Sequence, residues 1–169
     1  MLNLTVDFWK TSMDIQAYIT HNRTRKSRSL TMTFDTGAYM TSIDTAALFR
    51  AGYSVDTGKV AYIDAVGRRE IPAREILLRG LELGDIDGPR IMLGPVLVYA
   101  IDMSDSPETV GVLGLNVIRE FIVNISFGDP TIVRLTPTYD VNLLEKFEDF
   151  LPDSSRFGLW EKGHICGNG

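Results

Sequence analysis

The sequence predicts an all-β protein, a closed or strongly curved sheet carrying two short helices. Apolar and polar residues alternate with period two through most segments of the first 137 residues. Gly, Pro, Asn and Asp punctuate those segments at short intervals, and only two brief stretches between them switch to helical spacing. Many short strands divided by frequent turns favour a barrel-like sheet over an alternation of strands and long helices.

Element by element, Leu2 to Trp9 and Asp14 to His21 alternate as strands, and Leu30 to Phe34 continues the pattern. The basic run from His21 to Ser29 joins two of these segments and reads as a solvated hairpin turn, not a polyanion-binding loop. From Thr41 the period changes: Ile43, Ala46, Ala47 and Leu48 suit a short helix, with Ser42 or Asp44 as its cap and Gly52 as its stop. Lys59 to Ala65 and Arg69 to Arg79 flank Val66-Gly67-Arg68 as a hairpin. Leu81 to Ile86, Ile91 to Ile101 and Phe121 to Ser126 read as strands, as does Ile132 to Leu135 after the turn from Phe127 to Pro130. Leu115 to Phe121 has room for about two helical turns. Near Pro137 the composition shifts, dividing a domain of residues 1–137 from an acidic tail of residues 138–169. In that tail Tyr139 to Phe150 is amphipathic enough for one helix, and the end beyond it reads as frayed.

The 169 residues, 44% hydrophobic and 23% charged, suit one domain and a tail. A net charge of −5 without a concentrated basic face argues against nucleic acid as a partner. A single cysteine, Cys166, excludes an intrachain disulfide framework and fits a reducing compartment. No apolar run reaches the ~20 residues of a membrane span, and the start, Met1 to Asp7, lacks the pattern of a cleaved signal; the expectation is a cytoplasmic protein with no membrane partner. His164 and Cys166 are too few for a structural zinc site, so neither metal nor cofactor is expected.

Asp-Thr-Gly occurs twice, at Asp35-Thr36-Gly37 and Asp56-Thr57-Gly58. An aspartate that activates water needs its carboxylate at the end of a buried strand, on a tight turn with backbone amides nearby. Leu30, Met32 and Phe34 provide that strand for Asp35, and Gly37 and Ala38 leave room beside it. Asp56 follows a helix stop and is trailed by Lys59, so the second copy reads as a plain turn.

The stretch FDTGAYMTSI, Phe34 to Ile43, resembles the motif of retropepsin-like aspartic proteases, the single-domain group that includes retroviral enzymes and bacterial relatives. That group follows its motif with a short helix, a glycine-tipped flap, further strands, then two apolar residues and a glycine leading into a helix. Thr45 to Gly52, Ala61 to Pro72, Val96 to Ile101 and Val112-Leu113-Gly114 to Ile118 are similar to those parts in order, so the resemblance spans about residues 2 to 136. It implies an acid-protease-like β-barrel with one active-site aspartate per subunit. It departs in placing Tyr39 and Met40 where retroviral enzymes carry an acidic residue, and Arg68 and Arg69 at the flap.

With one convincing triplet in the chain and no room for a second lobe, the resemblance implies an endopeptidase that works as a symmetric homodimer on peptide or protein substrates. Asp35 would be catalytic. Thr36, Gly37 and Gly114 would support the active-site loop and dimer, and Gly37, Ala38, Ala65, Val66 and Gly67 would bind substrate. The alternative is a catalytically inactive retropepsin-like module for dimerisation or peptide binding. Aspartate phosphotransfer is disfavoured, because Gly37 stands where that chemistry needs a second acid, and Tyr39 and Met40 break the sugar-kinase pattern.

Overall fold

A computed structural model describes residues 1–6, 13–24, 26–65, 68–84, 88–104, 110–127 and 131–138. These belong to a compact unit, Met1–Tyr139; the remainder, Asp140–Gly169, forms a second unit, and the helix expected at 139–150 lies outside the described residues. In chain order the elements are β1 (Leu2–Val6), β2 (Asp14–Thr20), β3 (Ser27–Phe34), β4 (Ser42–Asp44), α1 (Thr45–Arg50), β5 (Lys59–Ala65), β6 (Arg68–Leu78) and β7 (Leu81–Gly84). They continue as β8 (Arg90–Leu93), β9 (Val96–Ile101), β10 (Gly111–Leu113), α2 (Leu115–Ile118), β11 (Phe121–Ser126) and β12 (Thr131–Pro137).

The chain is mostly β-structure with short helices. A nine-stranded sheet runs β5-β6-β9-β4-β10-β3-β2-β7-β8, and a three-stranded sheet runs β1-β12-β11. Among the described residues no pairing joins β5 to β8, so the expected barrel closure is absent from the ladder and the large sheet keeps two edges.

Both sheets feed one core. Leu2 and Leu4 of β1 and Val133 and Leu135 of β12 are fully buried with Ala17 and Ile19 of β2, Met32 of β3, Ile43 of β4 and Leu81 and Leu83 of β7. Alternation explains the choice: in β2, Ile15, Ala17 and Ile19 turn inward together, as period two requires. On the opposite face Glu82 is also buried, held by the Ser27 hydroxyl, which donates to it, and by Arg90 at 3.4 Å; the Arg90 guanidinium in turn lies 3.6 Å from the centre of the Tyr18 ring.

Three differences from the sequence expectation have local causes. Ser42–Asp44 is a strand and not the first turn of the helix, because fully buried Ile43 pairs with Ala100 on one side and Gly111 on the other. Asp44 is then the cap: its Oδ2 accepts from the Ala47 N–H at 3.1 Å. The single strand expected over Ile91 to Ile101 divides at Gly94-Pro95, where proline offers no N–H to a ladder. Finally, α2 is one turn and not two, since Phe121 already pairs with Pro137 and opens β11.

The end of α1 is fastened to the β2–β3 hairpin. The Asn22 N–H donates to Ala51 O (2.9 Å), and Gly52 adopts a left-handed φ of 80°, with the His21 ring so close that an added Cβ would lie 2.7 Å from it. The first part of the basic run thus forms the expected hairpin turn, with Arg23 and Lys26 exposed, whereas Ser27, Arg28 and Ser29, expected in the turn, already pair with β2 as the start of β3.

Candidate active site

Asp35 sits where β3 leaves the core. Phe34 is buried, and its N–H donates to Met13 O (2.7 Å) on one side of the strand. One residue later the Asp35 N–H donates to Leu113 O (3.1 Å) on the other, so the chain crosses from β2 to β10 as it turns outward. The turn closes with the Ala38 N–H on Asp35 O (3.3 Å), and the Gly37 N–H donates to Asp35 Oδ1 at 2.7 Å. Asp35, Thr36 and Gly37 are exposed and Ala38 is half-buried. One carboxylate oxygen is therefore fixed by a backbone amide, while Oδ2 has no protein partner among the described residues.

The support beneath the turn comes from far along the chain. β10 lies between β3 and β4, parallel to β3 (Leu113 beside Phe34) and antiparallel to β4 (Val112 beside Ser42). Gly114 then passes under the Met40-Thr41 peptide, so closely that a Cβ there would lie 2.5 Å from the Met40 carbonyl carbon and 2.8 Å from Thr41 N. Only glycine permits that crossing. The Leu115 N–H donates to Ala38 O (2.8 Å) and the Asn116 N–H to Tyr39 O (3.1 Å), so the first turn of α2 caps the open carbonyls of the Asp35 loop.

Thr41 and Asn116 complete this frame. Fully buried Thr41 gives both its N–H (2.7 Å) and its hydroxyl (2.8 Å) to Asn116 Oδ1, while its oxygen accepts from the Gly114 N–H (3.1 Å). Asn116 Nδ2 donates to Leu97 O at 2.9 Å. A single carboxamide thus links β9, the loop after Asp35 and α2, and every polar atom in the link is satisfied. The sequence reading did not find Asn116; its only signal was a position just after the glycine.

An apolar rim surrounds the frame. Tyr39 is 77% exposed, Leu97 41% and Leu115 37%, and all three sit on residues bonded to Asn116 or to the Asp35 loop. Nearby, burial pushes the Tyr99 hydroxyl above the ordinary tyrosine range, and the charges of Glu75 and Tyr39 push it further.

The second triplet takes no part in the hydrogen bonds of this construction. The Gly58 N–H donates to Val55 O (3.0 Å) and the Thr57 hydroxyl to Ser54 O (3.1 Å), so Asp56-Thr57-Gly58 is a β-turn with Asp56 exposed. Ala65 ends β5 paired with Arg68; Val66 and Gly67, expected at the tip of the flap, lie outside the described residues. The hairpin stem is irregular. Its register shifts between Ile63 and Ala65, the Glu70 N–H donates to Asp64 Oδ1 (2.9 Å), and Glu70 takes a left-handed φ of 55°. Among the described residues no group of three or more His, Cys, Asp or Glu side chains converges as a metal site, and no helix is long and apolar enough to cross a membrane.

The fold as a whole has a counterpart among solved structures. The chain superposes on a retropepsin-like aspartic protease from Rickettsia conorii with a TM-score of 0.53, over 79% of this chain and 88% of that one, at 14% identity. The chain has the retropepsin-like fold. Two further matches are the retroviral protease-like domain of Ddi1 from Leishmania major and the EIAV protease in complex with the inhibitor HBY-793. The first has TM-score 0.44 at 17% identity, over 78% and 98% of the two chains; the second has 0.38 at 16%, over 67% and 90%. No protein-family model and no curated protein matches the sequence. In this retropepsin-like fold the Asp35 turn is held by its own Gly37 and Ala38 amides and, from farther along the chain, by β10 and the first turn of α2.

Proposed function

We propose that the chain is an aspartic endopeptidase that works as a homodimer, with Asp35 of each subunit meeting at a two-fold axis. One observation carries the reading: Asp35 is exposed on a turn whose backbone is fixed by Leu113 and Ala38, with one carboxylate oxygen held by the Gly37 N–H and the other without a partner among the described residues. A rigid, solvent-facing acid lacking a second acid of its own suits a site completed by a symmetry mate.

Two carboxylates brought together cannot both ionise readily, so the pair shares a proton over the working pH range. The ionised member takes a proton from a water held between them, and the water oxygen attacks the scissile carbonyl carbon. The protonated member donates a hydrogen bond to the carbonyl oxygen as negative charge develops there. Proton return to the leaving nitrogen then breaks the C–N bond and restores the acid pair.

In this mechanism Thr36 joins the two loops across the axis, and Gly114 keeps α2 close beneath them. Gly37 and Ala38 offer backbone groups to an extended peptide, while Ala65, Val66 and Gly67 close over it from the flap. Tyr39, Leu97 and Leu115 add apolar surface for the substrate or the second subunit. The single cysteine, Cys166, supports a reducing, cytoplasmic setting.

The test is cleavage of a peptide library by the whole chain and by two variants. Asp35→Asn is expected to abolish cleavage while leaving the folded dimer intact, and Asp56→Asn to leave the rate within about twofold, since Asp56 lies on an exposed turn. Equal loss from both changes, or none from the first, sinks the assignment.

A further inference from the structure

The hairpin of β5 and β6 changes character along its length. From Lys59 beside Glu75 to Ile63 beside Ile71 the two strands keep a single register, and Arg74 to Leu78 of β6 also pair with β9. The inner part of the hairpin is thus tied into the large sheet. Beyond Ile63 the register shifts, and the next pair is Ala65 with Arg68. One residue of β5, Asp64, stands opposite two of β6, Arg69 and Glu70, which is the count of a β-bulge.

Glu70 bears the strain of this bulge. Among the described residues it alone, glycines aside, has a positive φ, 55°, a region where a Cβ crowds the following carbonyl. Backbone strain of this kind persists only when its surroundings hold it. Here the holding group is a side chain across the hairpin: Asp64 Oδ1 accepts from the Glu70 N–H at 2.9 Å. The bond starts from the one β5 residue that the bulge sets opposite two, and a carboxylate acceptor makes it stronger than a neutral bond. Pro72, beside Tyr62, has no N–H with which to reinforce the ladder next to it. Asp64 and Glu70 are both exposed, so the bond shapes the hairpin and not the core.

We propose that Asp64 is a positioning residue for substrate capture, its carboxylate fixing the bend at which the outer part of the hairpin leaves the sheet. A bulge bends its strand and increases its twist, so the direction of the outer part is set at Glu70 and not spread along the strands. With the Asp64 bond made, Glu70 stays left-handed and the bend is fixed; without it, Glu70 relaxes toward the β region and the bend is lost. The proposal rests on the reading that this hairpin closes over a peptide at Asp35. Asp64 acts on the peptide only through Glu70, by setting how well the closed hairpin holds it, and so on KM more than on kcat.

The test measures, on the full chain, hydrogen exchange of the residue 70 amide by NMR and the cleavage kinetics of a library peptide that the unaltered chain cuts. Asp64→Ala is expected to speed that exchange at least about tenfold and to raise KM about fivefold, with kcat held within about twofold. Asp64→Asn, which keeps an Oδ1 acceptor, is expected to return both toward their original values. Glu70→Gly, free to take a left-handed φ, is expected to keep the low KM, whereas Glu70→Val, whose branched side chain disfavours that φ, is expected to raise it as Asp64→Ala does. Unchanged exchange in Asp64→Ala, an unchanged KM, a fall in kcat alone, or failure of Asp64→Asn to restore KM each overturns the proposal and leaves the protease reading standing. If the unaltered chain cuts no library peptide at all, the protease reading falls and takes this proposal with it.

Discussion

At the scale of single residues, the side chain that matters most beneath Asp35 is Asn116. Its Oδ1 receives two hydrogen bonds from fully buried Thr41 and its Nδ2 holds Leu97 O. Truncation to alanine leaves the Thr41 N–H and hydroxyl without an acceptor in a place water cannot easily reach. Orphaned buried donors cost about 1–3 kcal/mol, so Asn116→Ala should lower the midpoint of urea unfolding without altering its slope. Gly114→Ala should act similarly by another cause, overpacking: its new methyl meets the Met40 and Thr41 backbone, which cannot swing aside as a flexible side chain would. Crowding of this kind typically costs about 1–3 kcal/mol. Because both residues brace the Asp35 loop, each variant that remains folded should also lose activity at temperatures well below its unfolding. A variant that unfolds early yet keeps full activity while folded would separate the frame from the site.

At the scale of elements, the joint between α1 and the large sheet has its own signature. The Tyr53 hydroxyl donates to Thr20 O (2.8 Å) at the end of β2 and accepts from the Arg79 N–H (3.0 Å) beyond β6. Burial raises its pKa above the ordinary tyrosine value of 10.0, partly offset by the Arg79 amide and charge. With the folded pKa above the unfolded one, this group's contribution is complete below about pH 10 and is lost as pH rises toward the folded value. Thermal melts should therefore fall above about pH 10, and Tyr53→Phe should lower stability at neutral pH while flattening part of that alkaline decline; Tyr99, shifted the same way, supplies the rest. An identical alkaline slope in the variant would contradict this. These joints also show where the sequence stops being legible. Period-two alternation was enough for β2, β11 and the Leu30 to Phe34 part of β3, although β2 buries Tyr18 on its other face as well as Ile15, Ala17 and Ile19. The insertion of β10 between β3 and β4 left no local trace, since it depends on Leu113 and Phe34 meeting across the chain. Ile43 was legible as buried but not as a strand, because a three-residue strand and the start of a helix look alike when β-branched and small residues alternate.

At the scale of the whole molecule, the Asp35 turn is built entirely within one chain, whereas the chemistry assigned to it requires two. The turn, its backing strand β10 and the Thr41–Asn116 link are complete without a partner; the second carboxylate is not. If catalysis belongs to the pair, subunits must be counted in twos, and a subunit carrying Asp35→Asn becomes a poison and not a mere bystander. Random reassociation with an equal amount of the inactive subunit leaves about half of the original active pairs, and a ninefold excess leaves about a tenth. An enzyme active as a single chain would lose nothing under the same treatment. Dilution gives the companion result: specific activity should fall once the concentration passes below the dimer dissociation constant, and the midpoint of that fall should coincide with the change from dimer to monomer mass in native mass spectrometry. Linear retention of activity through both experiments would mean that Asp35 works without its copy, and the acid-pair mechanism would have to be abandoned even if Asp35 proved essential.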